Sequence, residues 1–82
     1  MSLGKPRDLD EVARQTCRVL MRKARLRKVL GEEIDECITI VKRYLNGGAT
    51  LHETATELSS LLNLRYTEVE RVLDRARRDV ER

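Results

Sequence analysis

The chain has 82 residues and a mass of 9.5 kDa, which allows one domain and excludes the large layered enzyme folds. Charged residues make up 38% and hydrophobic residues 40%, a balance typical of a charged helical domain and not of a disordered tail. The formal charge of +3 is too small to indicate a class of partner, but so short a chain buries little surface, and we therefore expect a homodimer.

Basic residues are concentrated at the beginning of the chain. Residues 1–28 contain nine Lys or Arg and three Asp or Glu, a local charge of +6, so the remainder carries −3. This asymmetry indicates either a surface for nucleic acid or another polyanion, or a basic helix that contacts acidic neighbours. No apolar stretch is long enough for a membrane span or a signal peptide, and we expect a cytoplasmic protein with no membrane partner.

Helix one is predicted over residues 8–30, after a flexible segment at 1–7. Gly31 is expected to end it, because glycine accepts the left-handed conformation found at helix ends. Its apolar stripe consists of Leu9, Val12, Ala13, Thr16, Leu20 and Ala24, widened by Val19 and Leu26.

Helix two is predicted over residues 32–45 and helix three over 51–62. Acidic residues in the first turn of helix two suit the helix dipole, and residues 46–48 break the helix. Thr50 and Glu53 form a capping box at the start of helix three. The apolar stripe of helix two is Ile34, Cys37, Ile38, Val41 and Leu45, and that of helix three is Leu51, Ala55, Leu58, Leu61 and Leu62.

Residues 63–66 connect helix three to helix four, which is predicted over 68–81. Thr67 and Glu70 are expected to form a second capping box. The core stripe of helix four is Val69, Val72, Leu73, Ala76 and Val80. Four helices with short connections predict an all-α fold, a compact four-helix array or bundle in a single domain over residues 1–82.

Residues able to carry out chemistry are few. His52 is the only histidine and is expected to face solvent in the first turn of helix three. Cys17 and Cys37 each lie at an apolar helical position, and we interpret both as small buried side chains in a reducing cytoplasm. Gly47 and Gly48 lack the Lys and Ser/Thr of a phosphate-binding loop. We expect no enzyme activity, no cofactor, no metal and no small-molecule substrate.

Two helices carry basic residues along one face. On helix one six of them lie within an arc of roughly 120° opposite the apolar stripe, namely Arg7, Arg14, Arg18, Arg22, Arg25 and Lys28. We interpret the basic residues of this stripe from Arg14 onward as having no acidic residue four positions away in the sequence. This favours a face that binds nucleic acid or protein over a merely solvated one. Helix four repeats the pattern with Arg71, Arg75, Arg78 and Arg82, but Asp74 with Arg78 and Arg75 with Asp79 offer a purely structural explanation.

Residues 48–78 resemble the helix-turn-helix domains of bacterial, archaeal and phage DNA-binding proteins. Residues 48–58 are similar to the first helix of the motif, with Ala55 as the small residue that packs against the second helix. Residues 67–73 are similar to the start of the recognition helix. Two features differ: the turn has Asn63 where glycine is common, and the interval from Ala55 to Val69 is about one helical turn longer than usual.

The resemblance implies that the second helix enters the major groove of duplex DNA. Its candidate contacts to bases are Arg65, Tyr66, Thr67, Glu68 and Arg71, with Arg75 at a phosphate. The stripe of helix one would add sequence-independent phosphate contacts through Arg14, Arg18, Arg22 and Arg25. The first hypothesis is a small dimeric DNA-binding protein that regulates transcription.

A second hypothesis involves no nucleic acid. The chain would be a helical homo-oligomer or adaptor whose basic helix contacts acidic residues of a partner chain, such as Glu32, Glu33, Glu36, Glu53 and Glu57. RNA binding is disfavoured because Tyr44 and Tyr66 are the only aromatic residues. Membrane association is disfavoured because helix one has no Trp or Phe.

Overall fold

Four helices make up the fold: α1 (Leu9–Ala24), α2 (Gly31–Leu45), α3 (Leu51–Leu62) and α4 (Tyr66–Glu81). They are seen in a computed structural model that describes residues 8–24 and 31–81. These residues contain no strand, and the predicted all-α four-helix array is confirmed. The flexible segment predicted at 1–7, the extension of helix one over 25–30 and residue 82 lie outside the described residues.

Two predicted helix boundaries are wrong. Gly31 begins α2 instead of ending helix one. Helix α4 begins at Tyr66, two residues before the predicted start, because the amides of Glu68 and Val69 both donate to the carbonyl of Arg65 at 3.1 Å. Thr67 therefore lies inside the first turn and does not cap the helix.

The predicted capping box of α3 is confirmed. The hydroxyl of Thr50 accepts a hydrogen bond from the amide of Glu53 at 3.1 Å, and the carboxylate of Glu53 accepts one from the amide of Thr50 at 3.0 Å. The hydrogen bond from the amide of Thr50 to the carboxylate of Glu53 is the main reason that the pKa of Glu53 lies below its ordinary value. The start of α3 is thus fixed by two residues of its own sequence.

The core lies between all four helices and contains most residues of the predicted apolar stripes. Val19 and Ile34 are corrections to those stripes, because they are 40% and 37% exposed, and Leu26 lies outside the described residues. Ile40 and Tyr44, which the predicted stripe of helix two omitted, are buried. Helix α1 packs mainly against α2 and α4, and α3 packs mainly against α4. The buried apolar residues are Val12, Ala13, Cys17, Leu20, Cys37, Ile40, Val41, Tyr44, Leu45, Ala55, Leu58, Leu62, Val69, Leu73 and Ala76. None of the described helices is both long enough and apolar enough to cross a membrane.

Cys17 and Cys37 form a disulfide between α1 and α2. Their predicted burial is confirmed, but the prediction that they are separate thiols is wrong. Both cysteines lie on the faces that α1 and α2 turn toward each other, and their Cα atoms are 6.1 Å apart, within the range that a disulfide spans. The expectation of a reducing environment depended on free thiols and loses that support.

Candidate nucleic-acid interface

The corner between α3 and α4 is tight. Asn63 follows the last residue of α3 in the left-handed conformation, with φ 56° and ψ 48°, and α4 begins three residues later. The amide of Leu64 donates to the carbonyl of Ser59 at 3.1 Å and so closes the end of α3. Asparagine occupies this conformation more readily than other residues with a side chain, which explains how the corner forms without glycine.

The length of α3 explains the extra turn between Ala55 and Val69. Ala55 is fully buried in the first half of the helix. Ser59, one turn later, is half-buried and lies ten residues before Val69. Helix α3 carries Ala55 in its first half and continues to Leu62, so the longer interval from Ala55 to Val69 remains a difference from the helix-turn-helix pattern.

One face of α4 is exposed to solvent. Thr67, Arg71, Asp74, Arg75 and Arg78 are exposed, whereas the opposite face is buried against the core. The predicted pair of Asp74 and Arg78 is present at 3.2 Å. Within residues 8–24 and 31–81, Arg71 and Arg75 form no ion pair, so the predicted pair of Arg75 with Asp79 is absent there. The guanidinium groups of Arg71 and Arg75 are therefore available to a ligand.

The beginning of α4 is held against α3 by a contact that the sequence did not indicate. The hydroxyl of Tyr66 lies 3.1 Å from Nδ1 of His52, and the two rings are 5.6 Å apart at an angle of 54°. His52 is exposed, as predicted, while Tyr66 is half-buried. Tyr66 is thus directed back toward α3, and Arg65 and Thr67 beside it remain exposed.

A groove runs between α1 and α4, and we call it the α1–α4 groove. Val12, Val72 and Ala76 are among its apolar lining. The polar and charged side chains along it are Gln15, Thr16, Lys23, Glu68, Arg71, Arg75 and Asp79. Glu68 therefore lies beside α1 and not at the centre of the exposed face of α4. Lys23 lies along the same groove as Arg71 and Arg75 and is a candidate contact to nucleic acid that the sequence interpretation omitted.

The basic stripe of α1 lies elsewhere. Arg14, Arg18 and Arg22 line a second groove, the α1–α2 groove, together with Met21, Ile34 and Ile38. Residues 14, 18 and 22 each precede residues 15, 19 and 23 of the α1–α4 groove by one position, so their row is rotated by about 100° around α1. The structure thus separates these predicted contacts from those on α4. Arg25 lies outside the described residues.

Arg14 does have an acidic partner, which corrects the interpretation of this stripe. Its Nε donates to Asp10 at 2.8 Å, and Asp10 also pairs with Lys42 of α2 at 3.3 Å. The hydrogen bond from Arg14 is the main reason that the pKa of Asp10 lies below its ordinary value. Arg18 and Arg22 form no ion pair in the part of the chain that the structure describes.

Tyr44 is a core residue and offers no stacking platform. It is 4% exposed, and the guanidinium of Arg77 lies over its ring, 5.0 Å from the centroid. Nη1 of Arg77 also donates to the carbonyl of Tyr44 at 3.3 Å. A base could not stack on this ring without opening the contact between α2 and α4, and Tyr66 is already in contact with His52.

Among residues 8–24 and 31–81, no group of three His, Cys, Asp or Glu side chains is arranged to hold a metal ion. Comparison with models of protein families, with curated protein sequences and with solved structures finds no match for this chain.

Proposed function

We propose that the protein binds duplex DNA through the corner of α3 and α4 and regulates transcription without enzymatic activity. The observation that carries this proposal is the combination of a tight corner at Asn63 with a helix whose outer face carries Arg71 and Arg75, which form no ion pair within residues 8–24 and 31–81.

Base recognition is assigned to the first half of the exposed face of α4. The N-terminal residues of a recognition helix lie nearest the base edges in the major groove. Arg71 can donate two hydrogen bonds to the O6 and N7 atoms of a guanine, the commonest specific contact between arginine and DNA. Thr67 and Arg65 flank it and are also exposed.

Phosphate contacts are assigned to Arg75 and Lys23. Both line the α1–α4 groove, beside the exposed face of α4. Contacts of this kind fix the orientation of a protein on DNA without reading its sequence. Each phosphate that these side chains neutralise should add to the dependence of affinity on salt.

The proposed active species is a homodimer in the cytoplasm. A single helix of this size reads only a few base pairs, and two copies would bind half-sites about one helical turn, roughly 34 Å, apart. A small chain also gains stability by self-association. A buried disulfide is compatible with this location in hyperthermophiles, whose intracellular proteins are rich in disulfides.

The interaction-module hypothesis is retained as a second candidate because of one observation. The α1–α2 groove has an apolar floor and is bordered by Arg18 and Arg22, which form no ion pair among the residues that the structure describes, and it is distinct from the proposed DNA-binding face. A surface of this kind suits a protein partner better than DNA. Both uses are compatible in one chain, since they occupy different faces.

The proposal is tested by selecting duplexes from a random library with the purified protein. The recovered and scrambled duplexes are then titrated at 50 and 200 mM salt. We expect enrichment of a short motif, tighter binding of the recovered duplex, and affinity that falls as salt rises. Absence of binding to any duplex at 50 mM salt by folded protein would overturn the proposal.

A further inference from the structure

The α1–α2 groove exposes apolar surface, and none of the residues that the structure describes covers it. Met21, Ile34 and Ile38 line it, and Cys17 lies in its wall. Ile34 is 37% exposed, one of only two large apolar side chains so exposed within residues 8–24 and 31–81. Together these side chains form a small apolar patch bordered by charged residues, an arrangement that also occurs at surfaces that contact another molecule.

Near the N-terminus of α2 the two edges of this groove carry opposite charges, whereas farther along α2 Lys42 is basic and pairs with Asp10. Arg18 and Arg22 on α1 are exposed, and so are Glu32 and Asp35 on α2. Asp35 precedes Ile38 by three residues, so it lies beside Ile38 on the outer side of α2. Within the described residues none of these four side chains forms an ion pair. The helix dipole explains why acidic residues begin α2, but it does not account for the two arginines, which have no ion pair in the described part of the chain.

We infer that this face is the interface of a homodimer, with the α1–α2 groove of one copy packed against that of the other. A twofold axis running along the groove brings α1 of each copy opposite α2 of its partner. Each basic edge then meets an acidic edge, and the same contact forms twice. A second copy of this chain is the occupant whose charge fits both edges at once.

The inference rests on the dimeric state proposed above but not on DNA binding. It gives Arg18 and Arg22 a role in self-association instead of the phosphate contacts expected from the sequence. An ordinary stable interface buries about 800 Å² on each partner. The molecule measures 40 × 24 × 18 Å, so its long face is large enough.

The test uses two charge-reversed variants of the full chain in sedimentation experiments without DNA. The first is Arg18→Glu/Arg22→Glu, which makes both edges acidic, and the second is Glu32→Arg/Asp35→Arg, which makes both edges basic. Each variant alone should dissociate at least tenfold more readily than the wild type, which should have twice the chain mass of 9.5 kDa. An equimolar mixture should restore a dimer of one copy of each, because its edges are again complementary.

The matched control is Arg71→Glu/Arg75→Glu, which makes the same charge change at the same spacing on α4. It should remain dimeric, and circular dichroism should show helical content equal to that of the wild type in every variant. If a reversed variant does not fold, the neutral pair Arg18→Gln/Arg22→Gln replaces it, with the same expected direction.

Three results would overturn the inference. One is a wild-type protein that stays monomeric at the highest concentration, which would leave the groove to a different partner. Another is dissociation of the α4 control to the same extent as the groove variants. The last is a mixture of the two reversed variants that stays monomeric, since the two edges then do not face each other. A monomer that binds the selected duplex would contradict this interface while leaving DNA binding intact.

Discussion

The carbonyl of Ser59 accepts a hydrogen bond from the amide of Leu64 at 3.1 Å, across a single residue in the left-handed conformation. That residue is Asn63, with φ 56°. The contact ends α3 and sets the direction in which α4 leaves, so the position of the proposed recognition helix depends on one backbone conformation.

Substitutions of Asn63 should follow this conformation. Asn63→Gly should preserve or slightly raise the free energy of unfolding, because glycine adopts a positive φ without a steric cost. Asn63→Ala should lower it by about 1 kcal/mol. Urea denaturation followed by circular dichroism measures both values, and equal stability of the two variants would contradict the proposed role.

The disulfide should account for a large share of the stability. Cys17 and Cys37 are 20 residues apart in the chain. In the chain-entropy model, cross-linking them lowers the entropy of the unfolded state and so raises the free energy of unfolding by about 3 kcal/mol. Cys17→Ala/Cys37→Ala should therefore unfold at much lower urea, at a midpoint close to that of the wild type with reductant. Detection of two free thiols in the wild type, denatured without reductant, would show that the bond is absent.

The capping box should make stability depend on acidic pH. Because the pKa of Glu53 is lower in the folded chain than its ordinary value of 4.5, its contribution is complete above 4.5 and is lost as pH falls through the folded value. Glu53→Gln should remove this part of the pH dependence. Thermal unfolding of both proteins between pH 7 and pH 2 provides the comparison, and parallel curves would count against the capping role.

Lys23 should contribute to binding of every duplex. Since it lines the α1–α4 groove beside Arg75, Lys23→Ala should weaken selected and scrambled duplexes by similar factors and make the logarithmic salt slope shallower by about one unit. Lys42→Ala is the control, because Lys42 pairs with Asp10 on another part of the surface. Equal loss in both variants would argue against a local contact at Lys23.

Local sequence patterns predicted the helices and their buried faces well. The period of apolar residues identifies Leu58 and Leu73 as core residues without reference to the rest of the chain, and both are fully buried. The box at Thr50 is also local. The similar pattern at Thr67 predicted a capping box that is not formed. The amides of Glu68 and Val69 donate to the carbonyl of Arg65, so the helix begins earlier, and the side chains at Thr67 and Glu70 do not indicate this.

Contacts between helices could not be predicted in the same way. A helical wheel shows that Arg18 and Lys23 point in different directions, but not which helix lies beside each of them. The pairing of Tyr66 with His52 depends on how α3 and α4 meet. The pair of Asp10 with Arg14 is different, because its spacing of four is present in the sequence and was overlooked.

The most direct test of DNA recognition compares Arg71→Ala with Arg78→Ala on the selected duplex. Both arginines lie on the exposed face of α4, but Arg78 is paired with Asp74 and lies two turns farther from the N-terminus of the helix. We predict that Arg71→Ala weakens binding to the selected duplex at least tenfold while scrambled duplex loses less, and that Arg78→Ala changes both only slightly. Equal affinities for the two variants at the selected duplex would contradict recognition through α4.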